Sequence, residues 1–70
     1  MSAASRARKV EKATGFAYQT CLQLIRGELS FVPKAEGCKT ITALKEATKG
    51  RYKTPREGRP CPCSECVGEL

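Results

Sequence analysis

The segment Pro60-Cys61-Pro62-Cys63-Ser64-Glu65-Cys66 sets three cysteines in a C-x-C-x-x-C arrangement, and Cys38 stands beside Gly37 well upstream. Thiolates are soft donors, and a tetrahedral structural zinc takes four such ligands. The chain contains no histidine, so only cysteine can supply the usual soft set. The fifth cysteine, Cys21, falls on the apolar side of a helical pattern and reads as a small buried hydrophobe. Cys38, Cys61, Cys63 and Cys66 are therefore the expected ligands of a structural Zn2+. Such a site would tie the C-terminal stretch to the helix that follows Cys38. Two other fates of these thiols stay open: a flexible reduced tail, or a disulfide. Catalysis fits poorly. Without histidine a thiolate nucleophile lacks its usual base, no paired carboxylates flank a pocket, and C-x-C has no strand–helix context of a redox motif. The expectation is a protein that is not an enzyme.

The second chemical signal is charge. Thirteen Lys and Arg face seven acids, for a formal charge of +6. A small domain so basic suits a polyanionic partner, nucleic acid before an anionic membrane surface. Arg6, Arg8, Lys9 and Lys12 crowd the N-terminal stretch, and Lys45, Lys49, Arg51, Lys53, Arg56 and Arg59 precede the cysteines. No apolar run follows the basic start, as a secretory signal would require, and nothing is long enough to span a bilayer. An odd number of cysteines without such a signal argues against a secreted disulfide framework. The expected location is cytoplasmic, with no membrane association.

These groups need a scaffold, and seventy residues allow one small domain. A chain of this size buries only about 60% of its unfolded surface. Its core is thin, so a metal or a partner subunit would help. The expected fold is all-α: a small three-helix domain with an irregular cysteine-rich tail. Residues 2 to 14 read as a first helix, capped by Ser2 or Ser5 and stopped by Gly15. Residues 16 to 26 form a second, with Phe16, Cys21, Leu24 and Ile25 on one side and Gly27 as its stop. Pro33 breaks the pattern and keeps Val32 extended. Residues 39 to 49 return to helix, with Thr40 as the expected cap and Gly50 at the end. The chain thus divides into a helical region, residues 1–50, and a basic linker with the cysteine cluster, residues 51–70, packed on it.

The stretch around Gly15 resembles a helix-turn-helix. That motif needs a tight turn, often with glycine, and apolar groups at fixed distances from it. Val10, Phe16, Cys21 and Leu24 occupy those distances. With the loop at Pro33 and the later helix, residues 5–50 resemble the Cro-like phage repressor family. Glu11 departs from the pattern by standing where the family usually has a small alanine, which would crowd the crossing or open it. The family's additional first helix has no counterpart in these residues.

The resemblance implies that the second helix reads duplex DNA in the major groove. Tyr18, Gln19, Thr20 and Gln23 would face base edges, where Gln can pair with adenine and Thr can meet a thymine methyl. Arg6, Lys9, Arg26, Lys49, Arg51, Lys53 and Arg56 would contact phosphates. The function so read is a small DNA-binding regulator of transcription, phage-like and zinc-stabilised. The alternative is a docking inhibitor or adaptor from a mobile element, binding an acidic surface of a larger complex through Leu22, Phe31 and Val32. A homodimer fits both. The plainest alternative is a helical hairpin in which Gln19 and Gln23 are ordinary solvated residues.

Overall fold

The computed structural model describes residues 2–67. The elements run α1 (Ala3–Thr14), α2 (Tyr18–Arg26), β1 (Phe31–Val32), α3 (Lys39–Ala47), β2 (Arg59–Pro60) and α4 (Ser64–Val67). The molecule is mostly helical, as its periodicity predicts.

Helix α1 starts where the Ser2 hydroxyl accepts a hydrogen bond from the Ser5 N–H at 3.2 Å. This satisfies one of the donors that every helix start leaves without a partner. It ends at Gly15, whose φ of 80° is left-handed, a conformation that costs glycine no steric penalty. There the Gly15 N–H donates to the Glu11 carbonyl. Glu11 turns its carboxylate to Arg8 at 3.2 Å and stays 35% exposed, so it does not crowd the turn.

Helix α2 opens two residues later than the apolar pattern suggests. The Phe16 N–H is engaged by the Thr14 hydroxyl at 3.2 Å, and Ala17 is extended. Phe16 therefore belongs to the turn, where it meets Phe31 edge to face with centroids 5.8 Å apart. Cys21 and Leu24 on α2 are buried, and Leu22 and Ile25 are partly covered.

Helix α1 lies against both α2 and α3. Its small Ala7 and Val10, each fully buried, let both neighbours come close. Helix α3 contributes Ile41, Ala43, Leu44 and Ala47 to the same core. The largest fully buried side chains are Leu24, Leu44 and Val10; no aromatic is among them, so the core is as thin as the composition implies.

Helix α3 corrects one expectation. Its cap position is Cys38, with no side-chain cap bond, and Thr40 is wholly buried inside the first turn. The Thr40 hydroxyl meets Cys61 instead. Helix α3 stops at Ala47 because the Thr48 hydroxyl donates back to the Leu44 carbonyl at 2.8 Å while accepting from the Tyr52 N–H.

The tail is more ordered than its Pro and Gly content suggests. β1 and β2 pair in parallel, Phe31 opposite Arg59 and Val32 opposite Pro60. Hydrogen bonds from Arg59 N–H to the Ser30 carbonyl (3.0 Å) and from Cys61 N–H to the Val32 carbonyl (3.1 Å) fix the register. A pair so short has no periodicity to read from sequence. Gly58, with φ 147°, turns the chain into β2. A Cβ there would lie 2.5 Å from the Ser30 carbonyl oxygen, so the approach of the two segments requires glycine.

Candidate metal centre and basic face

Three segments converge on the cysteines. Cys38 opens α3, Cys61 follows β2, and Cys63 and Cys66 flank and enter α4. All four are buried, and their sulfurs lie within 4.8 Å of one another. Cys38 Sγ is 3.5 Å from Cys61 Sγ and 3.8 Å from Cys63 Sγ. A tetrahedral zinc with Zn–S bonds of about 2.3 Å holds its sulfurs about 3.8 Å apart. The four thiols thus stand at the spacing of a tetrahedral metal site. All are free thiols, and their burial excludes a loose tail. Cys21, also free and buried, sits on α2 outside the group.

The surroundings act unequally on the four thiols. Burial pushes the Cys61 thiol up to about 12, against hydrogen bonds to Thr40 and the Cys63 backbone. Burial also raises Cys38. At Cys63 burial again pushes upward, but backbone and side-chain hydrogen bonds from Cys66 and Cys61, with the Lys39 backbone, outweigh it and hold the thiol at about 6. The Lys34 N–H points at Cys66 Sγ, 3.4 Å away. In this set Cys63 surrenders its proton most readily, and a divalent cation would draw off the others. Lys39, next to Cys38, reaches Glu65 of α4 at 3.8 Å, a weak exposed link between the two ends of the cluster. Thr40, the Lys34 backbone and Gly58 form the support that sequence reading missed. Gly58 stands beside Arg59-Pro60 just before the first cysteine of the tail, the one cue available.

The residues expected to face DNA divide. Gln19 and Gln23 are exposed, Thr20 is half-buried, and Tyr18 is half-buried with the Arg8 guanidinium 4.5 Å above its ring. One face of Tyr18 is therefore engaged within the molecule. Gln19, Gln23 and Arg26 follow at i, i+4 and i+7, so they form one exposed stripe along α2.

The expected phosphate contacts divide as well. Arg6, Arg26, Arg51 and Lys53 line a single cleft of about 320 Å³ with Leu24 and Tyr52, and none of its lining residues is acidic. Lys49 joins Arg6 and Arg51 in an adjoining hollow. Lys9 instead lines a hollow between α1 and α3 with Ala13 and Glu46, and Arg56 lies beside Glu57 and Pro60 at the strand pair. Their helix face and loop position set these two apart from that cleft.

The residues expected for the docking alternative differ in exposure. Phe31 is buried, Val32 and Leu22 are partly covered, and Val67 is the large hydrophobic exposed among the described residues. No helix among the described residues is long and apolar enough to cross a membrane. No family model, curated protein or solved structure matches this chain.

Proposed function

We propose that this protein is a small zinc-stabilised DNA-binding regulator that presents α2 to duplex DNA. One observation carries the reading: the exposed stripe Gln19, Gln23 and Arg26 runs directly into a cleft whose cations come from α1, α2 and the segment after α3. Gln19 and Gln23 read base edges, since an amide can bond adenine bidentately. Thr20 assists at the groove wall, and Tyr18 holds Arg8 beside the reading surface. Arg6, Arg26, Lys49, Arg51 and Lys53 bind phosphate, the interaction that dominates affinity for nucleic acid.

The metal's role is architectural. Zinc held by Cys38, Cys61, Cys63 and Cys66 locks the chain on both sides of residues 49–53, and thereby fixes where Lys49, Arg51 and Lys53 stand. Zinc suits four thiolates in a closed tetrahedral set better than the harder divalent cations.

The test is a binding titration with blunt duplexes bearing 5′-hydroxyl ends, on selected and random sequences at two salt concentrations. Gln19→Ala should lose about tenfold or more on the selected duplex and little on random DNA, the loss expected for one bidentate base contact. The logarithm of affinity should fall with that of salt by roughly 0.9 per phosphate contact. Absence of binding at low salt, or indifference to Gln19→Ala, refutes the reading. Metal analysis with native mass identifies the bound ion and the oligomeric state together.

A further inference from the structure

The cleft between the helix ends is an open hollow with room for a small group. Its volume of about 320 Å³ sits at the lower end of the range of about 300–1,000 Å³ typical of small-ligand pockets. Arg6, Arg26, Arg51 and Lys53 line it, with no acid among them. Among the described residues the ion pairs, Arg8–Glu11 and Lys39–Glu65, lie elsewhere. Arg6 comes from the half-buried side of α1, and its Nε is buried with no hydrogen-bond partner. A buried donor left unsatisfied is costly, and one attached to a guanidinium that cannot lose its charge points to an anion.

The charge balance supports the same ligand. Helices α2 and α3 both end at the cleft, at Gly27 and Thr48. Each helix end carries roughly −0.5 charge, which opposes an anion. Four formal positive charges around one cavity outweigh that sum severalfold. Arg forks match phosphate oxygens in pairs, and a phosphate monoester offers three such oxygens with a charge of about −1.5 to −2. A backbone diester offers a single charge and is flanked by sugar on both sides. A duplex backbone can meet these cations at the mouth of the cleft, whereas a monoester can enter it.

We infer that this cleft is a pocket for a phosphate monoester, whose oxygens enter among Arg6, Arg26, Arg51 and Lys53 while its ester substituent points outward. The inference rests on the DNA reading for one of two sources of that group, the phosphorylated end of a strand; the other is free phosphate or a small phosphorylated molecule.

The experiment uses the full zinc-loaded chain, labelled with 15N. Sodium phosphate is titrated against chloride at constant ionic strength, following the Arg6 Nε–H signal and the amides of Gly27 and Arg51. Saturable shifts are expected. Arg51→Gln, an exposed position where folding should survive, should weaken binding about tenfold or more, as removal of a charge-assisted hydrogen bond does. Lys45→Gln, an equal loss of charge outside the cleft, should leave it unchanged. A second arm compares one oligonucleotide with a 5′-phosphate or a 5′-hydroxyl. A gain of about tenfold from the phosphate assigns the strand end. Phosphate binding without that gain assigns the free anion. Linear, non-saturable shifts, or equal losses in Arg51→Gln and Lys45→Gln, overturn the pocket. Phosphate binding with no affinity for 5′-hydroxyl duplexes would remove the DNA reading and leave the pocket standing.

Discussion

Replacing Gly58 by alanine tests how the metal centre is assembled. The added Cβ would meet the Ser30 carbonyl oxygen at 2.5 Å and Ser30 Cβ at 3.0 Å, where ordinary contact begins near 3.4 Å. Most of an ångström must be made up by backbone movement, because the carbonyl cannot swing aside as a long side chain would. That carbonyl accepts the Arg59 N–H at 3.0 Å, and Cys61 N–H to Val32 O at 3.1 Å is the next rung. Losing both costs about 1–3 kcal/mol, at 0.5–1.5 each. A side chain at φ 147° adds on the order of 1–3 kcal/mol of backbone strain. With partial relaxation, a net of about 2–4 kcal/mol is expected. A domain of 70 residues holds roughly 3.5–10 kcal/mol in all, at about 0.05–0.15 per residue.

The loss should appear in one of two places. If β2 docks without metal, the metal-free melting temperature falls by at least about 8 °C. If docking needs the metal, the cost moves into zinc affinity, about 30-fold to 1,000-fold. Thermal melts with and without zinc, and a competition titration against a chelator, read both. Gly37→Ala is the control, since nothing lies within 4 Å of its Cβ and its φ is not positive. Gly58→Ala indistinguishable from Gly37→Ala in both assays would refute the claim that the close approach of β1 and β2 delivers Cys61 to the cluster.

Two further outcomes follow from the cysteines. Cys66→Ser should abolish stoichiometric zinc and lower the melting temperature of the zinc-loaded chain sharply, because structural zinc contributes about 10–16 kcal/mol apparent in small domains; Cys21→Ser, outside the cluster, should retain full metal content. Protons compete with the metal at every ligand, over a pH range that differs between them. Cys63, held at about 6, binds zinc without releasing a proton above that pH and must release one below it. Cys61, pushed up to about 12, releases one throughout. The plot of log affinity against pH should therefore steepen by about one unit as pH falls through about 6, and a constant slope from about pH 5 to 8 would contradict the assignment.

Some of this protein was legible in its residues because the causes are local. Ser2, Gly15 and Gly27 mark helix ends through bonds within a few residues. The spacing of Val10, Cys21 and Leu24 marks the buried faces. The ligand set was legible by elimination, since no histidine competes and Cys21 falls on an apolar helix face. Thr40 was misread because a hydroxyl at the start of a helix looks like a cap, whereas a sulfur from residue 61 claims it. Lys9 and Arg56 were grouped with the other cations because charge carries no direction in a sequence.

What the sequence determined alone was the presence of α1, α2 and α3, the burial of their small apolar residues, and which four thiols could share an ion. Those depend on hydrogen bonds and side-chain periods spanning a few residues. Only the tertiary structure decided the parallel β1–β2 register, the near-tetrahedral spacing of the sulfurs, and the convergence of Arg6 with Arg51 and Lys53 in one acid-free cleft. Each joins segments more than twenty residues apart, and the energy that joins them comes from packing and desolvation across the whole core.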